Sequence, residues 1–295
     1  MTLRSLARLP FALALLLALT ALAAAPKPAA KAPAKGGSFF RLDKHKSTFS
    51  HACGFRVKDG ARGEIQRIVI LSSVPVDCAA ADAELDPKEA LEGAIVAKNG
   101  AYASLTVSAD GQRIEGGWVS TEPSDAFSFG GQGVVEIKKS DDSRLEGRYY
   151  TPHPEPFFDK TYEFDLPFAI DLLAGSLSGT PLPQGGGEPG KVYEAYRKAV
   201  AKDDEAGLKK VVTKERAVQL EGWASGGAFK EVFQGQKTLE LKTGTVTGGL
   251  LKENRAILDV EGKDYDGDKV RGQVFFLRED GAWKVGESRL RPVFD

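Results

Sequence analysis

A stretch rich in glycine and proline, Ser178–Gly190, separates two regimes of hydrophobic patterning, and this switch limits the fold more than any other feature. Before it, apolar residues alternate with polar ones at the two-residue period of strands. After it, they first recur at helical spacing and only then alternate. No single sheet or bundle produces that order. The chain therefore reads as two modules, 38–177 and 191–295, with a Gly/Pro linker over 178–190. Gly185-Gly186-Gly187 lacks the following G-K-S/T of a phosphate loop and does not lie between a strand and a helix.

In the first module, Phe49, His51, Cys53, Phe55 and Val57 share one parity, as on one face of a strand. Arg67–Val74 is a nearly continuous apolar run, consistent with a central strand. Strands are expected at 102–107, 114–119, 134–137 and 145–150, with Asp110-Gly111 as a two-residue hairpin turn. The clearest strand carries Tyr162, Phe164, Leu166, Phe168 and Ile170 in strict alternation. Only Pro87–Ala97 looks helical. Short strands divided by turn signals predict an all-β antiparallel sandwich or barrel.

The second module opens with Val192, Ala195, Tyr196, Ala199 and Val200 on one helical stripe. Asp203-Asp204-Glu205 suits the cap of a second helix, and Glu215–Trp223 forms a third. Strands follow at 238–246, 255–261, 269–277 and 283–290, with Asp280-Gly281 as the last hairpin turn. Helices followed by an antiparallel sheet predict an α+β layout.

The first 25 residues set the expected compartment. Arg4 and Arg8 precede the apolar run Leu9–Ala21 and the small-x-small triplet Ala21-Leu22-Ala23, the pattern of an export signal. That run is short for a membrane span, and the spacer 26–37, with Lys27, Lys31 and Lys35 among Pro and Ala, reads as a solvated tether. A periplasmic or secreted protein is expected, without an integral membrane segment after processing. In such a compartment the only two cysteines, Cys53 and Cys78, are expected to form a disulfide, with buried free thiols as the alternative. Net charge is −1 over 295 residues, which leaves no basic patch for nucleic acid.

The helical opening VYEAYRKAVAKDD, the strand RAILDVEG and the ending GQVFFLREDGAWKVGES resemble the cystatin-like, nuclear-transport-factor-two-like superfamily, which includes SnoaL-like and lumazine-binding-like proteins. The resemblance covers 190–292. It implies a cone-shaped α+β fold with a pocket between helices and sheet, and domains that often pair through the outer sheet face, here near Thr243, Thr245 and Gln273. The first module, through SHACGF, RIVILSSVPVD, LEGRYYT and TYEFDLPF, resembles a bacterial secreted β-rich domain of unknown function. Neither resemblance implies a reaction or a cofactor.

Candidate residues follow. Tyr193, Tyr196 and Trp223 would line the cone pocket. Enzymes of that fold place a carboxylate or histidine there as general base. This module has no histidine, and Asp259 and Glu261 have the parity opposite to Ala256, Leu258 and Val260, so they should face outward. An enzyme is therefore not the leading expectation, and catalytic, cofactor and metal residues are expected to be none. Asp264, Asp266 and Asp268 lack the glycine and glutamate of a calcium loop and read as an acidic turn. His45, His51 and His153 show no metal-ligand spacing. TPHPEPFF, with His153, Phe157 and Phe158, forms a candidate interaction loop, or else a hairpin loop whose phenylalanines pack back. The leading expectation is a non-enzymatic envelope protein that binds a protein partner or a small apolar ligand. The rivals are a hydrolase or isomerase using the cone pocket, which requires a buried carboxylate of raised pKa there, and a structural module that dimerises through its sheet.

Overall fold

The computed structural model describes residues 37–293 except 61, 122–125, 130–132, 226–232, 236 and 239. The expected export signal at 1–25 and nearly all of the spacer lie outside the described residues.

The first module contains β1 (Ser38–Leu42), β2 (His45–Phe49), β3 (His51–Lys58), β4 (Ile65–Ser72), α1 (Cys78–Asp82), α2 (Pro87–Val96), β5 (Tyr102–Val107) and β6 (Ile114–Ser120). It continues with β7 (Ala126–Phe129), β8 (Val134–Ser140), β9 (Arg144–Tyr150), β10 (Glu155–Phe157) and β11 (Lys160–Leu173). One layer has the order β2-β1-β11-β9-β8. The other runs β3-β4-β5-β6-β7. The long β11 belongs to both, because Leu172 and Leu173 pair with Gly54 and Phe55 of β3. That contact is parallel, so the expected wholly antiparallel arrangement needs correction. The reason is the length of β11, which outruns β9 and reaches the second layer at its end.

Between the layers lie Phe40, Val69, Leu71, Leu105, Phe164, Leu166 and Phe168. On the outer side of β3–β5 a second core gathers Cys53, Phe55, Ile68, Ile70, Leu91 and Ile95 beneath the two helices. Both faces of β4 are thus covered, which explains its near-continuous apolar run. The face expected to run from Phe49 through Val57 is interrupted: Phe49 ends β2 and joins the inter-layer core, whereas Cys53 and Phe55 of β3 face the helices. The expected two-residue turn at Asp110-Gly111 is a longer connection over 108–113. Ser108 organises it, accepting from Arg113 N–H and donating to Asp110.

Cys53 and Cys78 are disulfide-bonded, tying β3 to the first residue of α1. Asp77 and Asp86 cap the two helices through their carboxylates, and Pro87 occupies the first turn of α2.

The second module contains β12 (Thr180–Pro181), α3 (Gly187–Ala201), α4 (Glu205–Val211), α5 (Lys214–Ser225), β13 (Thr243–Lys252), β14 (Arg255–Lys263), β15 (Lys269–Glu279) and β16 (Ala282–Pro292). Its sheet is ordered β12-β13-β14-β15-β16. Asp204 caps α4, and Asp280 and Gly281 both adopt positive φ in the last hairpin turn. Helix stripe and sheet enclose Tyr196, Val200, Leu208, Leu258, Val274 and Phe276.

Two expectations shift here. The stretch 178–190 is no free linker: β12 pairs with β13, Gly185 N–H donates to Val246 O, and α3 begins ahead of 191. A Cβ on Gly190 would stand 1.8 Å from Gly185 O, so only glycine permits this close first turn. The strand expected at 238–246 begins at Thr243, and the residues described at 233–235 and 237 are helical.

Opening the Cys53–Cys78 bond releases a loop of 25 residues. A Cys53→Ser/Cys78→Ser variant is expected to lose about 3 kcal/mol of unfolding free energy, measured in urea on both forms. An unchanged midpoint would mean that the two cores alone fix α1.

Candidate interdomain cleft and the buried network behind it

The outer face of the second sheet lies against the first module. Ile257, on that face, is only 2% exposed. Lys58 pairs with Asp259 at 2.6 Å, Arg255 with Glu84 at 2.7 Å, and Gly60 sits close against Gln273. Arg289 stacks over the Phe275 ring at 4.5 Å while its guanidinium meets Asp86, Glu89 and Glu287. Asp259 therefore faces away from the inner core as its parity demands, but it meets Lys58. Gln273 is likewise engaged by the first module and by Asp259. A second copy cannot use that part of the face. Thr243 and Thr245 remain exposed beside an open depression lined by Glu261 and Arg271.

The two surfaces do not mesh everywhere. A cleft of about 510 Å³ is lined by Leu85, Asp86 and Glu89 of the first module and by Thr213, Glu215, Arg216, Gln219, Arg255, Phe275 and Glu287 of the second. A smaller one, about 200 Å³, lies among Lys58, Gln66, Lys88, Thr106, Gln273 and Arg291.

Arg216 connects the larger cleft to the interior. It shares a helical face with buried Leu220, and its Nη1 donates to Gly286 O at 3.1 Å. Its Nη2 donates to Tyr196 Oη at 2.9 Å, and that hydroxyl donates to Glu240 Oε1 at 2.6 Å. Ser288 Oγ donates to the other Glu240 oxygen at 3.2 Å. Burial pushes the Glu240 carboxyl above the ordinary range, against the opposing pull of these donors and of Arg216. Burial likewise raises both Tyr196 and Tyr193. Tyr193 Oη has no hydrogen-bond partner among the described residues.

The sequence-based candidates are thus distributed differently from expectation. Tyr193 and Tyr196 are core residues, 1% and 3% exposed, with rings stacked 6.2 Å apart; neither lines the clefts above. Tyr196 meets buried Glu240 there. Trp223 falls in α5, but its side chain lies outside the described residues. In the expected interaction loop, Phe157 packs edge-on against Phe127 at 4.7 Å, whereas Phe158 is 92% exposed at the hairpin tip with φ of 54°. His153 is exposed and pairs with Glu155 at 3.2 Å. Asp264 accepts from the N–H groups of Asp266 and Asp268, forming a self-contained acidic turn. Among the described residues no three His, Cys, Asp or Glu side chains are grouped to hold a metal.

Sequence reading missed Glu240 and Arg216. Arg216 was detectable, because an arginine one helical turn before a buried leucine needs a buried acceptor. Glu240 carries no local signal; it lies in an irregular segment and is buried by partners from α3, α5 and β16.

No family model matches the chain, and comparison with curated proteins and with solved structures likewise returns no match.

A carboxyl whose folded pKa is raised favours folding most below its unfolded pKa and progressively less as pH climbs toward the folded value. Stability is therefore expected to fall with rising pH from the ordinary glutamate range upward, by at most about 1.4 kcal/mol per pH unit from this group. Glu240→Gln should flatten that slope in urea titrations. An unchanged slope would assign the pH dependence to other groups.

Proposed function

We propose that this chain is an exported, non-enzymatic binding protein of the cell envelope, and that its ligand site is the cleft between the two modules. Export rests on the pattern of residues 1–25 and fits the Cys53–Cys78 bond. The order of three helices followed by an antiparallel sheet supports a cystatin-like second module. One observation carries the choice of site. Glu240, Tyr196, Arg216 and Ser288 satisfy one another inside the second module, whereas open volume of about 510 Å³ lies between the modules with polar side chains on both walls.

This relocates the ligand expected from sequence. A small apolar molecule suited the interior of a cone; the interdomain cleft suits a polar one. Glu215 and Gln219 on one face of α5, Arg255 at the start of β14 and Glu89 on α2 supply both donors and acceptors. The hydrolase or isomerase reading finds a buried carboxyl of raised pKa in Glu240, which is the group it required. It lacks the approach: Glu240 lines neither cleft, and its oxygens are occupied by Tyr196 and Ser288. A general base needs its substrate within hydrogen-bond reach.

The test is a native mass spectrum of the protein recovered from an exported preparation, with Gln219→Trp as the partner sample. The expected result is a chain lacking its leader, two hydrogens lighter than the dithiol, and carrying extra mass that leaves on denaturation. The tryptophan fills the cleft and should abolish that extra mass while leaving the fold unchanged by circular dichroism. Retention of the ligand by Gln219→Trp, or a clean apo mass in the parent, rejects the cleft. An uncleaved leader rejects export.

A further inference from the structure

Much of what the first module presents to the second comes from one short segment, 77–89, which spans α1, the turn after it and the first turn of α2. The carbonyl of Asp82 accepts from Lys252 Nζ at 2.8 Å. Glu84 meets Arg255, and Asp86 and Glu89 meet Arg289. Leu85, only 3% exposed, lines both clefts between the modules.

This segment has little apolar surface of its own to hold it. Of the five residues of α1, CAAAD, only Ala81 is buried, and a helix so short does not persist in water unaided. Its two ends are fixed instead. At the first, Cys78 is bonded to Cys53 of β3, and the Asp77 carboxylate accepts from the N–H groups of Ala79 and Ala80. At the second, Asp82 Oδ1 accepts from Gly175 N–H at 2.6 Å, so the connection between the modules is tied to α1. Lys252 Nζ, besides reaching the Asp82 carbonyl, donates to Ser178 Oγ at 2.7 Å, and that hydroxyl donates to Gly175 O at 3.0 Å. Gly175 has φ of 60°, and a Cβ on it would stand 2.2 Å from Arg56 O, so the connection is pressed against β3. α1, the connection and β13 are thus closed into one ring of hydrogen bonds, and the disulfide ties that ring to β3.

We propose that 77–89 is a docking strap, and that the Cys53–Cys78 bond sets the arrangement of the two modules through it. With the bond closed, α1 presents Asp82 to Lys252 and holds Glu84, Leu85 and Asp86 against the second sheet. Without it, the strap leaves that sheet and the joint opens. The inter-layer core of the first module lies on the other face of β3–β5 from the disulfide, so the strap can detach while that core stays packed. Outside the strap, Lys58–Asp259 and the contact of Gly60 with Gln273 remain, and a partly exposed ion pair is a weak clamp. Leu85, Asp86 and Glu89 are also the first-module wall of the larger cleft, so that wall is in place only in the disulfide-bonded protein. The strap needs no ligand in the cleft, and either reading can fail alone.

The test is hydroxyl-radical footprinting of the full purified chain, read by mass spectrometry at Ile257. That side chain lies on the outer face of the second sheet, and its cover is the first module. Leu105 and Leu208 report on the two inner cores. In Cys53→Ser/Cys78→Ser, oxidation of Ile257 is expected to rise severalfold while Leu105 and Leu208 stay protected. Lys252→Met, which keeps the disulfide and removes the amine that closes the ring, is expected to raise Ile257 in the same direction. An Ile257 rate that stays at its wild-type value in either variant overturns the proposal. If Leu105 is also exposed in the double serine variant, the first module has unfolded and Lys252→Met decides: a rise at Ile257 with both cores protected supports the strap, and no rise rejects it.

Discussion

One extra residue in β16 organises both sides of the second sheet. Pairing with β15 runs Phe276 opposite Val285 and then Phe275 opposite Glu287, so Gly286 is a bulge. Before it, Trp283 and Val285 point into the core; after it, the inward parity passes to Ser288 and Leu290. A strand without the bulge would aim Glu287 and Arg289 inward and Ser288 outward. The bulge thus delivers Ser288 to Glu240 on one face and Arg289 to Phe275, Asp86 and Glu89 on the other. Its own carbonyl accepts from Arg216. The internal network and the contact between modules share this local irregularity.

The network itself is better explained by satisfaction than by catalysis. Arg216 is within a mostly apolar helical face and must keep its charge. Its nearest acid, Glu240 at 3.9 Å, is less close than the Tyr196 hydroxyl that links them. Arg216 donates its hydrogen bonds to Gly286 O and Tyr196 Oη and meets Glu240 through that hydroxyl. Removing any one member leaves a buried donor or acceptor unmatched, which costs about 1–3 kcal/mol. Such a set fixes one packing of α5 against β16.

Regular periodicity was legible, and irregular placement was not. The alternation from Tyr162 to Ile170 sits within β11, and the stripe of Tyr196, Ala199 and Val200 forms the buried face of α3. The strand expected at 238–246 is displaced to β13, Thr243–Lys252, because helix occupies the described residues 233–235 and 237 before it. In the sheet, Gly244 meets Glu261 O so closely that a Cβ would stand 2.4 Å away, so its smallness serves strand pairing. The inward and outward parity of β14 was also legible, but what covers its outer face was not: Asp259 is a solvent residue by pattern and a partner of Lys58 in fact. That contact joins residues 201 positions apart, and no local rule encodes it.

The joint between modules follows from the same distribution of charge. Ile257 and Phe275 supply its apolar contribution, and most of the remaining contacts are ion pairs with at least one partner partly exposed. Such pairs contribute roughly 0–1 kcal/mol each and weaken with salt. The connection runs from Ala174 through Gly175 and Gly179, both in positive φ, before β12 anchors the chain to its own sheet. A surface held by exposed charges and interrupted by clefts remains hydrated, unlike the dry interior of either module. Molecules that carry their own donors and acceptors can replace that water without leaving the lining groups unpaired. An apolar ligand in the same space would leave Glu215 and Gln219 without partners, which is why a polar ligand is the one proposed for the cleft.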